Sequence, residues 1–174
     1  MTEEFLFYGT PSSKRGIIKV KWRLIWPGKC RQPQLASLIH DYHQRIAKMV
    51  PCELVESGEA KGVPEKEKQK VLKIEADNLA KNIHSGYIIC LSDQGEEMTT
   101  KGFKDFLEKL MLSSVKTVNF IVGGFLGLDD SILAKADKII SLSPMTFSHE
   151  TIRLMLIEQL YRVITMTRGL KYAK

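Results

Sequence analysis

The chain has 174 residues, 44% of them hydrophobic and 26% charged, with a net charge of +6, which is ample for one domain with a real core. No apolar run approaches the roughly 18 residues of a membrane helix. Cys30, Cys52 and Cys90 are scattered, odd in number and outside Cys-x-x-Cys spacing; this argues against a disulfide framework or a zinc site, and a reducing, cytoplasmic setting is expected.

Residues 1–16 contain Gly9-Thr10-Pro11-Ser12-Ser13 and no sustained period, so a flexible N-terminal extension is expected. Phe5-Leu6-Phe7-Tyr8 is too short for the apolar part of a signal peptide, and Glu3-Glu4 stand where positive charge is needed. Residues 17–174 are expected to form a single domain. Ile17–Trp26, β-branched and aromatic, predicts a strand that Pro27-Gly28-Lys29 ends. Leu35, Leu38, Ile39, Ile46 and Met49 fall near helical spacing and predict a helix over Gln34–Met49. Cys52–Glu56 follows as a short strand, then a polar loop over Gly58–Val63.

Pro64 is expected to open a helix to about Ile83, with Glu65 and Glu67 in a first turn where the helix dipole favours them. Gly86–Ser92 is a near-continuous apolar strand, and Asp93-Gln94-Gly95 predicts a turn. Thr99 is placed to cap a helix to Leu112. Val115–Val122 is another buried strand, ending at Gly123-Gly124. Asp129 caps a short helix to Ala136. The strand Lys138–Leu142 leads into the last helix, Ser148–Arg168. Five alternations of strand and helix, with strands that do not alternate apolar and polar residues, predict an α/β fold: a mostly parallel sheet covered by helices on both faces.

Ligands in such folds sit at the carboxyl ends of strands, near helix N-termini. Ser141-Leu142-Ser143-Pro144-Met145-Thr146-Phe147 occupies that place before the last helix. Gly123-Gly124-Phe125-Leu126-Gly127 is a second such loop, open to reading as a tight turn or as a binding loop. Its glycine spacing is not the dinucleotide fingerprint. Leu91-Ser92 ends a third strand at the same edge. Three such loops would make a concave, mostly apolar pocket.

Charge is unevenly spread. Residues 1–50 carry nine Lys/Arg against three Asp/Glu, and residues 151–174 carry five against one, while the middle is acidic. Basic ends attract polyphosphate, nucleic acid included, or are solvated surface. His40 and His43 lack a third ligand and are expected to be surface residues, with no metal. On the last helix, Ile152, Leu156, Leu160 and Val163 form an apolar stripe. Arg153 and Arg162, nine apart, point to opposite faces. Glu158 and Arg162 are spaced to pair, so Arg162 is either that partner or an RNA contact. His149 either orients substrate or caps and packs.

Ser-Leu-Ser-Pro-Met-Thr-Phe over 141–147, the His149 and Arg153 that follow, and Glu158-Gln159-Leu160-Tyr161-Arg162 resemble the C-terminal region of one bacterial family. These are SPOUT-class enzymes that methylate N3 of a pseudouridine in large-subunit ribosomal RNA. Phe120-Ile121-Val122-Gly123-Gly124, Gly127-Leu128 and Glu108-Lys109-Leu110-Met111 extend the resemblance, which covers roughly residues 19–174. It implies a C-terminal trefoil knot, a homodimer through the C-terminal helix, S-adenosylmethionine as cofactor and the assembled ribosome as partner. It implies that Leu91, Gly123, Gly124, Leu142, Ser143, Pro144, Met145, Thr146 and Phe147 hold the cofactor. Arg153 or Arg162 would supply electrostatics, and Tyr172 would position the base. Phe125-Leu126, Ser92, Ser148, Lys171 and Ala173 depart from the family pattern, Ala173 replacing a histidine. The alternative is therefore a divergent homologue that binds RNA or cofactor without this reaction, or that methylates another RNA.

Overall fold

A computed structural model describes residues 20–64 and 66–172. Its five strands are β1 (Lys21–Pro27), β2 (Cys52–Ser57), β3 (Tyr87–Glu97), β4 (Thr117–Ile121) and β5 (Lys138–Ser141). The helices are α1 (Pro33–Ala47), α2 (Lys68–Asn82), α3 (Thr100–Leu112), α4 (Asp130–Leu133) and α5 (His149–Thr167). All strand pairs are parallel, in the order β2-β1-β4-β3-β5. The expected α/β architecture is thus present. The N-terminal extension, Lys19, Glu65 and Ala173 lie outside the described residues.

The apolar strands are buried because both sheet faces are covered. On one face Trp22, Leu24, Ile89 and Phe120 pack with α1, α3 and α5; on the other Ile25, Cys90 and Ile121 pack with α2 and α4. Trp22 and Phe120 meet edge to face at 6.0 Å. Leu156, Ile157, Leu160, Val163 and Ile164 of α5 are wholly buried, each contributing about 1.5–3 kcal/mol of transfer free energy. Arg23, within β1, is buried too. Its guanidinium donates to Glu53 Oε2 at 3.0 Å, the Asn82 carbonyl at 2.5 Å and Asn119 Oδ1 at 3.3 Å, as a buried cation must.

The caps at Thr99, Asp129 and Ser148 are formed, each side chain accepting a backbone N–H of its helix's first turn. Two local expectations are corrected. α2 begins at Lys68, because Glu67 N–H closes a turn onto the Pro64 carbonyl at 2.9 Å; the proline opens a turn, not the helix. β3 does not stop at Ser92. Leu91 and Glu96 both register with Ile140, so 92–95 bulge out and the strand resumes. Gly95 allows this: a Cβ there would lie 2.4 Å from the Ile140 carbonyl carbon.

Candidate functional site

The carboxyl ends of β3, β4 and β5 meet at one edge, and their loops enclose a cavity of about 300 Å³. Leu91, Ser92 and Asp93 form one side, Val122–Leu128 a second, and Ile140–Ser143 with Met145–Phe147 a third; His149 and Ile152 of α5 close it. The glycine loop doubles back on itself. Gly127 N–H donates to the Gly124 carbonyl at 3.0 Å, and Gly127 holds a φ of +83°, a conformation glycine adopts freely. The following loop is shaped by its serines. Ser141 Oγ donates to the Ser143 carbonyl at 2.9 Å, and Ser143 Oγ accepts from Met145 N–H at 3.0 Å. These turns hold Phe125, Met145 and Phe147 50%, 69% and 38% exposed, an apolar rim that no other described residue covers. Of the nine residues assigned to the cofactor, all but Pro144 line this cavity; Pro144 is exposed beside it.

His149 sits in the wall, with its imidazole held below its ordinary pKa by burial first and by Arg153 next; it is neutral at pH 7. Arg153 is 1% exposed. Its guanidinium donates to the Pro27 carbonyl at 2.6 Å and the Gly28 carbonyl at 3.4 Å, and stacks over the Trp26 ring at 5.4 Å. It thus pins the end of β1 to the first turns of α5. Arg162 lies about 13 Å further along the helix. It donates twice to Glu158 Oε1, at 2.8 and 3.1 Å. Tyr172 lies over it at 5.1 Å, donates to the same carboxylate oxygen at 3.1 Å and meets the Tyr42 hydroxyl at 3.0 Å. Burial first, then these hydrogen bonds, raise the Tyr172 phenol, so it stays protonated at neutral pH. The structure therefore joins Arg162 with Tyr172 and leaves Arg153 apart.

Two acids escaped the sequence reading. Glu150 is buried at the start of α5 and accepts from Arg31 N–H at 2.7 Å, Gln32 N–H at 3.3 Å and the Cys30 thiol at 3.3 Å. Burial pushes its carboxyl up, but these donors outweigh it and hold it below the usual range. Its place in a helix's first turn was the available signal. Glu75 is buried on α2, four residues from both Val71 and Leu79; a carboxylate on an apolar stripe was the signal there.

A larger hollow of about 540 Å³ lies between α1, α3 and α5, lined by Leu38, Tyr42, Phe103, Leu154 and Met155 among others. It carries none of the glycine loop. Among the described residues no cluster of His, Cys, Asp or Glu could hold a metal ion, and no helix is long and apolar enough to cross a membrane.

The family described as predicted SPOUT methyltransferases matches residues 20–173. The ribosomal RNA large subunit methyltransferase H of Streptococcus equi subsp. zooepidemicus is 31% identical over 160 residues, 89% of this chain and 100% of the relative. That of Leuconostoc citreum is 35% identical over 157 residues, 87% of this chain and 98% of the relative. A solved structure described as a probable methyltransferase, from Bordetella pertussis Tohama I, superposes with a TM-score of 0.52 at 13% identity, covering 84% of this chain and 98% of that one; that likeness speaks for the fold alone.

Proposed function

The chain belongs to the SPOUT methyltransferase family, and from that premise we propose that it methylates N3 of a pseudouridine in large-subunit ribosomal RNA, on the assembled ribosome in the cytoplasm, with S-adenosylmethionine as donor. The observation that carries the reading is the cavity: three loops at one sheet edge, walls that mix apolar and polar residues, and an exposed apolar rim. Its volume is at the low end for a small-molecule site. Leu91, Leu142, Met145 and Phe147 suit an adenine ring, and the glycine backbone at 123–124 permits close approach.

When bound, S-adenosylmethionine supplies a methyl group activated on a sulfonium. This chain's residues bind, orient and exclude water. His149, neutral in the cavity wall, is available to hold the N3 proton. Arg153 fixes the β1 end beside it. Arg162 of α5 and Tyr172, in the turn just beyond that helix, offer a cation and a ring toward RNA. The basic chain ends give salt-dependent attraction to phosphate. The apolar hollow along α5 supports a homodimer through that helix, and family membership supports a trefoil threading of the C-terminal segment.

The test is transfer of labelled methyl from S-adenosylmethionine to ribosomes lacking the modification, with the labelled nucleotide mapped. Label on a single large-subunit pseudouridine supports the reading. Absence of label from folded, cofactor-binding protein overturns it in favour of a changed substrate or a lost reaction.

A further inference from the structure

Glu75 is 6% exposed, and its Oε2 is enclosed without a hydrogen-bond partner. That oxygen packs on the cavity's glycine loop: a Cβ built on Gly124 would lie 2.4 Å from it. Gly124 itself lines the cavity. Only one thickness of glycine backbone thus separates a buried carboxyl group from the ligand space. An unpartnered buried acceptor costs free energy, and it faces the loop that the cofactor reading already uses.

The charges around it do not cancel. Arg153 is the buried cation of this region, and the Glu150, Glu56 and Glu75 carboxyl groups all act on it. When ionised, three carboxyl groups against one guanidinium leave a net negative centre. Arg153 also spends its terminal nitrogens on the Pro27 and Gly28 carbonyls. Burial first, with Glu59 adding to it, outweighs the Ala60 backbone and Arg153 and raises the Glu75 carboxyl above the usual carboxylate range. A negative centre behind a low-dielectric wall favours a cation in the cavity and does nothing for a neutral ligand.

We propose that Glu75, acting across Gly124, makes this cavity select a sulfonium nucleoside over the neutral thioether left after transfer. The proposal rests on the cofactor reading above. Methyl transfer breaks the sulfur–methyl bond, the electron pair stays on sulfur, and the ligand loses its charge. Glu75 then holds the donor and not the product, so exchange follows turnover. It touches no reacting atom and is a positioning charge, not a catalytic residue.

The experiment is calorimetric titration of the full chain and of its Glu75→Gln variant with S-adenosylmethionine, with S-adenosylhomocysteine, and with sinefungin, which carries an ammonium in place of the sulfonium. The wild type should bind both cations about tenfold more tightly than the thioether, a difference of about 1.4 kcal/mol. Glu75→Gln should abolish that ratio while keeping thioether affinity. An unchanged ratio, or equal loss of all three ligands by a folded variant, overturns the proposal. Should Glu75→Gln not fold, Glu75→Asp, which withdraws the charge by one methylene, must give an intermediate ratio, and a wild-type ratio overturns the proposal. Equal wild-type affinity for all three ligands overturns it alone, whereas wild-type protein that binds none of them overturns the cofactor reading itself.

Discussion

Replacing Gly123 by alanine loads the glycine loop at its tightest point. The new Cβ would lie 2.3 Å from both the carbonyl carbon and the oxygen of Gly127. Carbon atoms in contact sit about 3.5 Å or more apart, so the turn must open by about 1 Å. The obstacle is backbone, and no flexible side chain can yield. Overpacking of this kind costs about 1–3 kcal/mol, and each kcal/mol lowers Tm by about 2–4 °C in a chain of this size. The turn is also a wall of the cavity. A gap of about 0.5–1 Å forfeits about a quarter to a half of each dispersion contact across it, so affinity for S-adenosylmethionine should fall about tenfold or more. Thermal melts followed by circular dichroism, with calorimetric titration, read both effects. Gly102→Ala is the control. It lies in the first turn of α3, where a Cβ would press on the Thr99 hydroxyl at 3.3 Å and meet Met98 Cβ at 4.0 Å with no backbone in the way, and it does not line the cavity, so ligand affinity should stay unchanged. A Gly123→Ala protein that melts and binds like wild type would refute the close approach.

Other perturbations probe the framework. Glu53 is held down to about 2 by Lys21 first and then Arg23; a lowered carboxylate stabilises above its unfolded value and loses that contribution as pH falls from about 4.5 to about 2. Glu53→Gln should therefore flatten Tm against pH across that window, and parallel curves would refute the assignment. Tyr172→Phe removes hydroxyl contacts to Tyr42 and Glu158 and should cost about 1–2 kcal/mol; an unchanged melt would mean that the tail is not held there in solution. Arg153→Lys should cost about 2–3 kcal/mol, because one ammonium cannot serve two carbonyls and a tryptophan face with a planar fork's geometry. A melt within 1 °C of wild type would contradict the anchoring role, with about 1 °C as the resolution of the comparison.

The alternation of elements was legible because strands buried on both faces leave long apolar runs such as Tyr87–Leu91 and Phe120–Val122. The caps at Thr99 and Asp129 were legible because a hydroxyl or carboxylate before an amphipathic run has one cheap use. The continuation of β3 past Ser92 was not. Asp93-Gln94-Gly95 is turn chemistry, and its bulge depends on Ile140 of another strand. Strand order was equally hidden, since pairing partners leave no local mark. At the site, the loops announced themselves by small residues at strand ends. The state of the arginines did not. Nothing in sequence distinguishes Arg153, sealed against Trp26, from a cation reaching for RNA, because Pro27 and Gly28, which it binds, lie at the far end of the chain. Glu75 was overlooked because a single acid on an apolar stripe gains meaning only when Gly124 is seen against it.

The strand order has a consequence for how the protein is born. β1 pairs with β2, made soon after it, but its inner edge waits for β4: Lys21 registers with Thr117. At roughly 5–20 residues per second, that wait is about 5–20 s of synthesis. Throughout it Trp22 and Leu24, wholly buried at the end, have β2 and helices α1 and α3 to lie against but neither β4 nor α5. α5, which covers this face, comes after all five strands in the chain. Completion of this face is therefore deferred until α5 has been made, and until then the inner edge of β1 waits with its apolar side chains only partly covered.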